Sequence, residues 1–594
     1  MVQNNHSQSE GESLKESSTL NRRNLMRTTG SGLLATTALG STSLNVSATD
    51  AAEQIEGSEE DPWRPGFHFA PPQGWINDPN GLVYHDGIYH LFFQYHPHDP
   101  WWEDIQWGHA TSRDLFNWTY HGIKLPFDDE NNIAKFSGAA TVDKENTAGF
   151  GEEALILSYT GAHFDDPIQD QRIAYSTDNG KTVTPYDGNP VVDTNDPEFR
   201  DPNVFWYEPD QRWIMVVSRV YDGDDDGEER PAGIEIYSSK DHINWTYEST
   251  FTIAEYKETV AGIETDDGVY DDGVDIWECP DLFELPIEGT DETKWVLTVS
   301  VGNTQDGHDN PREDHLIGDF DGHEFTMEDR MIADYGYDYY AAISWDNEPD
   351  DRRIQIGWAG HWPYMGIIPE TGWRGSMSVP REVTLEEGND YVELRQHPVA
   401  ELEDLRQETL AELSSEMITP GRDPLDGTDA EGRSLEIRAT IDPHTADEVG
   451  FRVREGANDE SRITYYTDPD DSPVSDASPS EVPQLVFQRT DSSVDGPADD
   501  FFDEGQEDAT SMPLEPREGG TIELQILVDR SVVEIFANDG NRTMTNLVFP
   551  DWDSTDVSLF AENGAARIEN LVVYDLAPQP LDIELHEGSH EGSY

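Results

Sequence analysis

Cysteine is nearly absent from this chain. Cys279 is the only one, so no disulfide can form within it, and no Cys/His set has the spacing of a structural zinc site. Cations are scarce as well: 37 Lys and Arg face 123 Asp and Glu, and no lysine follows Lys294. Nucleic acids and anionic membrane surfaces are held by clustered Lys and Arg, so neither is expected as a partner. Long apolar runs are missing too. The nearest, Gly30 to Val46, is rich in Gly, Ser and Thr and too weakly apolar to insert in a bilayer. No clustered histidines and no EF-hand loop occur, so no metal or other cofactor is expected. Asp222 to Glu228 looks calcium-like but has the wrong spacing, and it reads as solvated surface.

What the 594 residues carry is acid and aromatic surface. Hydrophobic residues are 35% of the chain, yet 16 Trp, 23 Tyr and 22 Phe are enough to build packed cores in two or three domains. The net charge of −86 is spread along the whole chain, as in Asp222 to Glu229 and Asp346 to Asp351. Such self-repulsion opposes a compact state in ordinary buffer. Molar salt screens it, because the Debye length is only about 3 Å at 1 M, and a halophilic protein is expected. Near the start, Asn21-Arg22-Arg23-Asn24-Leu25-Met26-Arg27 precedes the weakly apolar run and the small-residue exit Val46-Ser47-Ala48. That order predicts a secretory signal of twin-arginine type and an extracellular protein.

From Trp63 to Leu385 short aromatic and β-branched runs alternate with Asp, Asn, Gly and Pro turns, the pattern of an all-β fold. Five runs are the clearest: Ile88 to Tyr95, Ala154 to Tyr159, Trp213 to Ser218, Trp295 to Val301 and Ile354 to Trp358. Segments also repeat. Ser112-Arg113-Asp114-Leu115-Phe116-Asn117-Trp118-Thr119-Tyr120 aligns with Ser239-Lys240-Asp241-His242-Ile243-Asn244-Trp245-Thr246-Tyr247, with a weaker copy at Ser176 to Thr182. Asp78-Pro79-Asn80 aligns with Asp201-Pro202-Asn203, and Glu278-Cys279-Pro280-Asp281 is a looser third copy. Repeated strand units too small to bury their own faces predict a β-propeller of about five blades. Alternation resumes from Ser434 to Leu576, where Leu435, Ile437, Ala439 and Ile441 predict a β-sandwich. The expected layout is a signal over residues 1–48, a linker over 49–63 and a propeller over 64–395. A linker over 396–430, with a helix from Glu401 to Glu416, leads to a sandwich over 431–577 and a polar tail over 578–594. Asp468 to Glu481 and Asp491 to Glu518 read as acidic loops.

In this alignment Asp78, Asp201 and Glu278 take the same place in three repeats, so propeller symmetry would gather three carboxylates around one axis. Like charges that close are costly and mark acid/base chemistry. Aromatics surround them in the sequence: Trp75, Phe92, Phe93, Trp101, Trp102, Trp107, Phe136, Trp277, Trp358 and Trp362. Asn77, Gln94, Ser137 and Arg200 supply forked polar groups. Aromatic faces beside polar forks suit a sugar. Arg200 is the expected partner of Asp201. Burial beside Trp277 and Cys279 is expected to raise the pKa of Glu278, and Cys279, with no histidine beside it in sequence, is expected to pack and tune rather than react.

These motifs resemble glycoside hydrolase family 32, the β-fructofuranosidases. Those that carry the resemblance are Trp75 to Gly81, Gln106 to Ser112, Phe136-Ser137-Gly138, Phe199-Arg200-Asp201-Pro202, Trp277 to Asp281, Ile317 to Gly322, Trp373 to Glu382 and Leu527 to Phe536. The resemblance implies a five-bladed propeller with a C-terminal sandwich and a retaining double displacement on sucrose or fructans. It implies Asp78 as nucleophile, Glu278 as acid/base and Asp201 as transition-state stabiliser. Asn77, Gln94, Trp102, Phe136, Ser137, Arg200 and Trp358 match positions lining the fructosyl pocket. Ile76 stands where Met or Leu is usual, and Trp101-Trp102-Glu103 departs from a more usual Trp-Gly, which alters the pocket mouth. Retention of Trp75 and Asn77 favours hydrolysis over fructosyl transfer. A transferase of the same family, a non-catalytic fructan-binding protein and an inverting propeller glycosidase remain the alternatives.

Overall fold

Each of the five runs singled out above becomes the second strand of a four-stranded antiparallel meander. In the computed structural model these second strands are Ile88–His96, Ala154–His163, Arg212–Arg219, Thr293–Gly302 and Ile354–Ala359. The structure describes residues 53–219, 232–261, 276–302, 311–388, 392–474, 482–491 and 509–584. The expected signal and the acidic stretch from Asp222 to Glu229 lie outside the described residues.

The first strands of the five meanders are Gly74–His85, Ile133–Asp143, Phe199–Tyr207, Ile276–Glu288 and Tyr340–Ser344. Each packs on the next, and the fifth packs back on the first, so they close a ring. Residues of the Asp-Pro-Asn repeat stitch that ring. Asn80 Oδ1 accepts from the Gly138 N–H, Asn203 Nδ2 donates to Asp281, and Asp281 takes both the N–H and the hydroxyl of Ser344. Meanders whose inner strands face one another bury them on both sides, and Gly74–His85 is accordingly buried from Gly74 to Leu82 and Val83.

The second repeat forms the turns between third and fourth strands. Asp114 accepts the N–H groups of Phe116 and Asn117 at 3.1 and 2.7 Å and the Asn117 amide at 2.8 Å. Asp241 repeats this at Ile243 and Asn244 with distances of 3.0, 2.7 and 2.8 Å. One side chain thus satisfies a whole turn, which is why this short segment recurs.

The C-terminal part is two facing sheets. Six strands pair in the order Arg406–Ile418, Ala566–Leu576, Ser434–Asp442, Ile522–Asp529, Val532–Ala537, Arg542–Leu547. Five more, Ala509–Pro513, Gln484–Asp491, Glu460–Tyr466, Glu448–Glu455 and Asp556–Glu562, cover one face. Ile437, Ile526 and Ile535 point into the core between the sheets, against Phe451, Ile463 and Phe487. Leu527 and Phe536 point the other way, into a core shared with Phe67, Phe93 and Met377 of the propeller. With both faces covered, apolar residues follow one another at Ile526-Leu527-Val528 and Ile535-Phe536-Ala537.

A buried ionic seam joins the two parts. Asp529 accepts the N–H groups of Gly66, Phe67 and His68 and the His68 ring at 2.8 Å; the other ring nitrogen of His68 meets Glu534 at 2.9 Å. Arg381 bridges Glu534 and Asp334 at 2.5 and 2.9 Å. The acids of the Leu527 to Phe536 motif therefore clamp the sandwich to the propeller.

Five expectations are corrected. The helix expected from Glu401 to Glu416 is a 3-10 turn over Ala400–Leu405, followed by the strand Arg406–Ile418. Helix propensity is a weak preference, and the open edge of Ala566–Leu576 offers a full backbone ladder instead. This strand also places the start of the sandwich within the expected 396–430 linker. The expected linker over 49–63 holds Glu53–Ile55, and the expected polar tail holds Leu581–Ile583; these two strands pair with each other, and the second also pairs with Thr119 and Tyr120. The acidic loop from Asp491 to Glu518 contains the strand Ala509–Pro513.

Candidate active site

All five first strands are irregular at one level. The ladder to the second strand shifts between Ile76 and Pro79, Phe136 and Gly138, Arg200 and Asn203, Glu278 and Asp281, and Tyr340 and Ile343. A bulge re-aims side chains, and here five bulges aim theirs at the ring axis. In the last three strands the bulge holds a left-handed residue that is not glycine: Asp201, Cys279 and Ala341, with φ of 63°, 49° and 56°. Backbone of this kind is strained and concentrates at functional sites.

The bulges correct the alignment of the repeats. Cys279, not Glu278, is the counterpart of Asp201, and Glu278 is the counterpart of Arg200. The three carboxylates still converge, but from three different bulge positions: Glu278 in the last regular pair, Asp201 one residue past it and Asp78 two residues past it.

Asp78 is buried, and its donors include Asn77 Nδ2 at 2.8 Å, Gln94 Nε2 at 3.0 Å and the Ser137 hydroxyl at 2.5 Å. Trp75 Nε1 donates to Asn77 Oδ1 at 2.9 Å and so fixes the first of them. Hydrogen bonds of this kind stabilise a carboxylate charge. Asp201 accepts the Cys279 N–H at 3.2 Å, while its own N–H donates to Thr160 Oγ1 at 2.9 Å. The Cys279 thiol lies 3.7 Å from both Asp78 and Asp201, as its place in the repeat requires. Glu278 is held by Arg200 Nε at 3.0 Å and by the Tyr340 hydroxyl at 2.8 Å.

Arg200, expected beside Asp201, therefore sits first on Glu278, and its distance to Asp201 is 3.9 Å. It also donates to Gln169 at 3.2 Å and Glu198 at 2.5 Å. Burial would lower the pKa of Arg200, but Glu278, Glu198 and Asp201 raise it well above the usual value. Asp201 moves the other way for an acid. Burial raises its pKa and Arg200 opposes this, but the charges of Glu278 and Asp78 add to the rise, to about 7. Burial and the same carboxylates push the Cys279 thiol well up, so it is a protonated, inert group at neutral pH. Behind the cluster, Glu313 is pushed up by burial against the hydrogen bond it accepts from Ser300.

Of the expected pocket residues, Asn77, Gln94, Ser137 and Arg200 all join this network. Trp102 and Phe136 are half-buried at its edge, ring centroids 5.8 Å apart. Trp358 is a correction: it is 0% exposed and backs the wall, packed on Trp362 and Trp75 at 5.0 and 6.0 Å. Trp277 is another. Strand alternation turns it away from Glu278, into a core with Phe251 and Tyr256. Phe92 and Trp107 pack against Tyr159 in another core, and Phe93 lies in the core shared with the sandwich. Tyr340 and Thr160 were missed. Tyr340-Ala341-Ala342 has neither the Asp nor the Pro of the repeat, so nothing in the sequence marks it.

Residues 68–398 match the model described as glycosyl hydrolases family 32 N-terminal domain, and residues 401–575 match the family 32 C-terminal model. The chain belongs to glycosyl hydrolase family 32. It is 37% identical over 543 residues to a levanase of Bacillus subtilis, covering 89% of this chain and 72% of the relative. It is 31% identical over 561 residues to an extracellular exo-inulinase of Aspergillus ficuum, covering 87% and 95%. The crystal structure of the exo-inulinase of Aspergillus awamori superposes with a TM-score of 0.73 at 28% identity, covering 88% of this chain and all of that one. These family 32 neighbours share the β-propeller and β-sandwich architecture.

Proposed function

We propose that this family 32 hydrolase removes terminal β-fructofuranosyl units from fructans and sucrose with retention of configuration. The observation that carries this reading is three carboxylates on three first strands, each with a different set of partners. The Asp78 carboxylate, steadied by Asn77, Gln94 and Ser137, attacks the fructosyl anomeric carbon. Glu278, oriented by Arg200 and Tyr340, gives its proton to the departing oxygen. Water then takes the leaving group's place, loses a proton to Glu278 and frees the sugar from Asp78. Asp201 holds fructosyl hydroxyls. Coulomb repulsion disfavours three charged carboxylates together, and the raised pKa of Asp201 keeps a proton in the cluster below about pH 7. Trp102 and Phe136 face the sugar ring at the rim. The relatives' printed names, levanase and exo-inulinase, support fructan as the substrate class.

The same proposal places the enzyme outside the cell in strong brine. The paired arginines Arg22 and Arg23 support export by the twin-arginine route, and the net charge of −86 supports a salt-adapted surface. Among the described residues no helix is long and apolar enough to cross a membrane.

The test is fructose release from sucrose, inulin and levan in molar salt, with Asp78→Asn and Glu278→Gln beside the wild type. We expect release by the wild type and losses of at least about 10²-fold in both variants. Glucose without matching fructose points to transfer, and a folded wild type that turns over none of the three sinks the reading.

A further inference from the structure

Among the described residues, the most exposed large hydrophobic side chains are Trp101, Phe164, Tyr247 and Ile367, at 46, 40, 48 and 39%. Three of them, Trp101, Phe164 and Ile367, lie in segments that connect a second strand to a third. That is the end of the propeller where the bulges and carboxylates sit, since Trp75 pairs with His96 at the close of its second strand. In a chain this acidic, apolar surface collected at one end calls for a ligand without charge.

Trp101 is the best built of the three. The guanidinium of Arg374 lies over its ring at 4.3 Å. That guanidinium is itself fixed, donating to the carbonyls of Pro100 at 3.2 Å and Ile368 at 2.9 Å. His96 Nδ1 donates to the Trp101 carbonyl at 2.8 Å. Gly366, beside the exposed Ile367, lies along the ring edge, where an added Cβ would stand 3.8 Å from Cζ3. One face of the indole is thus covered by a cation, and its exposure is left to the other face. The next residue, Trp102, meets Phe136, whose neighbour Ser137 bonds Asp78. Trp101 thus stands one residue from a side chain in contact with the segment that bonds Asp78, exposed at the same end of the propeller as the carboxylates.

We propose that Trp101 is a stacking platform for sugar units on the leaving-group side of the scissile bond, and that it favours fructan chains over sucrose. The inference rests on the fructosidase reading above. A planar, pre-positioned aromatic face binds the C–H face of a sugar ring at small entropic cost, and aromatic stacking is worth up to about tenfold in affinity. Sucrose ends one unit beyond the scissile bond; a fructan continues along the rim.

The experiment compares kcat/KM on sucrose and on an inulin-type oligosaccharide of several units for wild type, Trp101→Ala and Trp101→Tyr in molar salt. In Trp101→Ala we expect the fructan-to-sucrose ratio of kcat/KM to fall about tenfold, through the fructan KM, with Trp101→Tyr recovering most of it. A ratio that stays at the wild-type value overturns the proposal, whether both activities fall together or neither moves. If Trp101→Ala does not fold, Trp101→Gln, which keeps a side chain of some length without an aromatic face, decides by the same ratio. A wild type inert on both sugars overturns the functional reading, and this proposal with it.

Discussion

Asp201 is where site chemistry and fold stability pull apart. Its ordinary pKa is about 3.9, and burial near Glu278 and Asp78 carries it to about 7 despite Arg200. The folded chain thus keeps a proton that the unfolded chain has released. Between pH 4 and 7 stability through this group falls as pH rises; above 7 the cost is complete and constant. Asp201→Asn removes the charge and keeps an acceptor for the Cys279 N–H. We expect its thermal midpoint to gain on the wild type by more at pH 8 than at pH 5. An equal gap at the two pH values refutes the buried-charge account. Asp78 and Asp201 were legible as single residues, because Asp-Pro-Asn is a recognisable local signal. The partnership of Arg200 with Glu278, and the part of Tyr340, were not, because both depend on bulges in neighbouring strands.

Among the elements, the Ser-x-Asp turns are the clearest modules. In Asp114 and Asp241 burial opposes the charge, but the N–H, amide and hydroxyl donors outweigh it and hold both carboxyls below the usual range. Their contribution is present above the ordinary carboxylate pKa and is lost as pH falls below it. Asp114→Ala and Asp241→Ala should each cost about 1–2 kcal/mol of unfolding free energy. Because the turns sit in different meanders and share no partner, the double variant should cost the sum, measured as urea midpoints at pH 7. A double variant no worse than either single one argues against independent turns. The strand Arg406–Ile418 carries the opposite lesson. Its Leu, Glu and Ala content reads as amphipathic helix, yet it forms an edge strand. A sheet edge left by residues 148 to 170 positions away decided it, and no local window contains that edge.

At the scale of the whole molecule, the seam and the net charge set the expected responses to pH and salt. Burial would lower the pKa of His68, but its bonds to Asp529 and Glu534 raise it to about 9. A base raised in this way stabilises fully below its ordinary value near 6.5 and loses that contribution as pH rises through 9. Unfolding free energy should therefore decline from pH 6.5 to 9, and His68→Gln should flatten the decline. An unchanged slope in that variant would place the pH dependence elsewhere. With a net charge of −86, the thermal midpoint should climb steadily from 0.1 to 2 M KCl as screening shortens. A midpoint flat over that range contradicts the salt-adapted reading.

By itself the sequence determined the class of the molecule: two β parts in order, a strand repeat, the motifs of a sugar hydrolase, and a strongly acidic composition. These follow from alternation, turn chemistry and charge, which act over a few residues or need no geometry at all. Tertiary structure alone decided which side chains meet. A bulge shifts alternation by one place, so it turned Cys279 toward Asp78 and Asp201 and moved Glu278 onto Arg200 and Tyr340. Ring closure and sheet edges set the rest: the burial of Trp358, the strand at Arg406–Ile418, the pairing of Glu53–Ile55 with Leu581–Ile583, and the open face of Trp101. Each depends on segments far apart in the chain, and their contacts exist only once those segments have come together in the folded molecule.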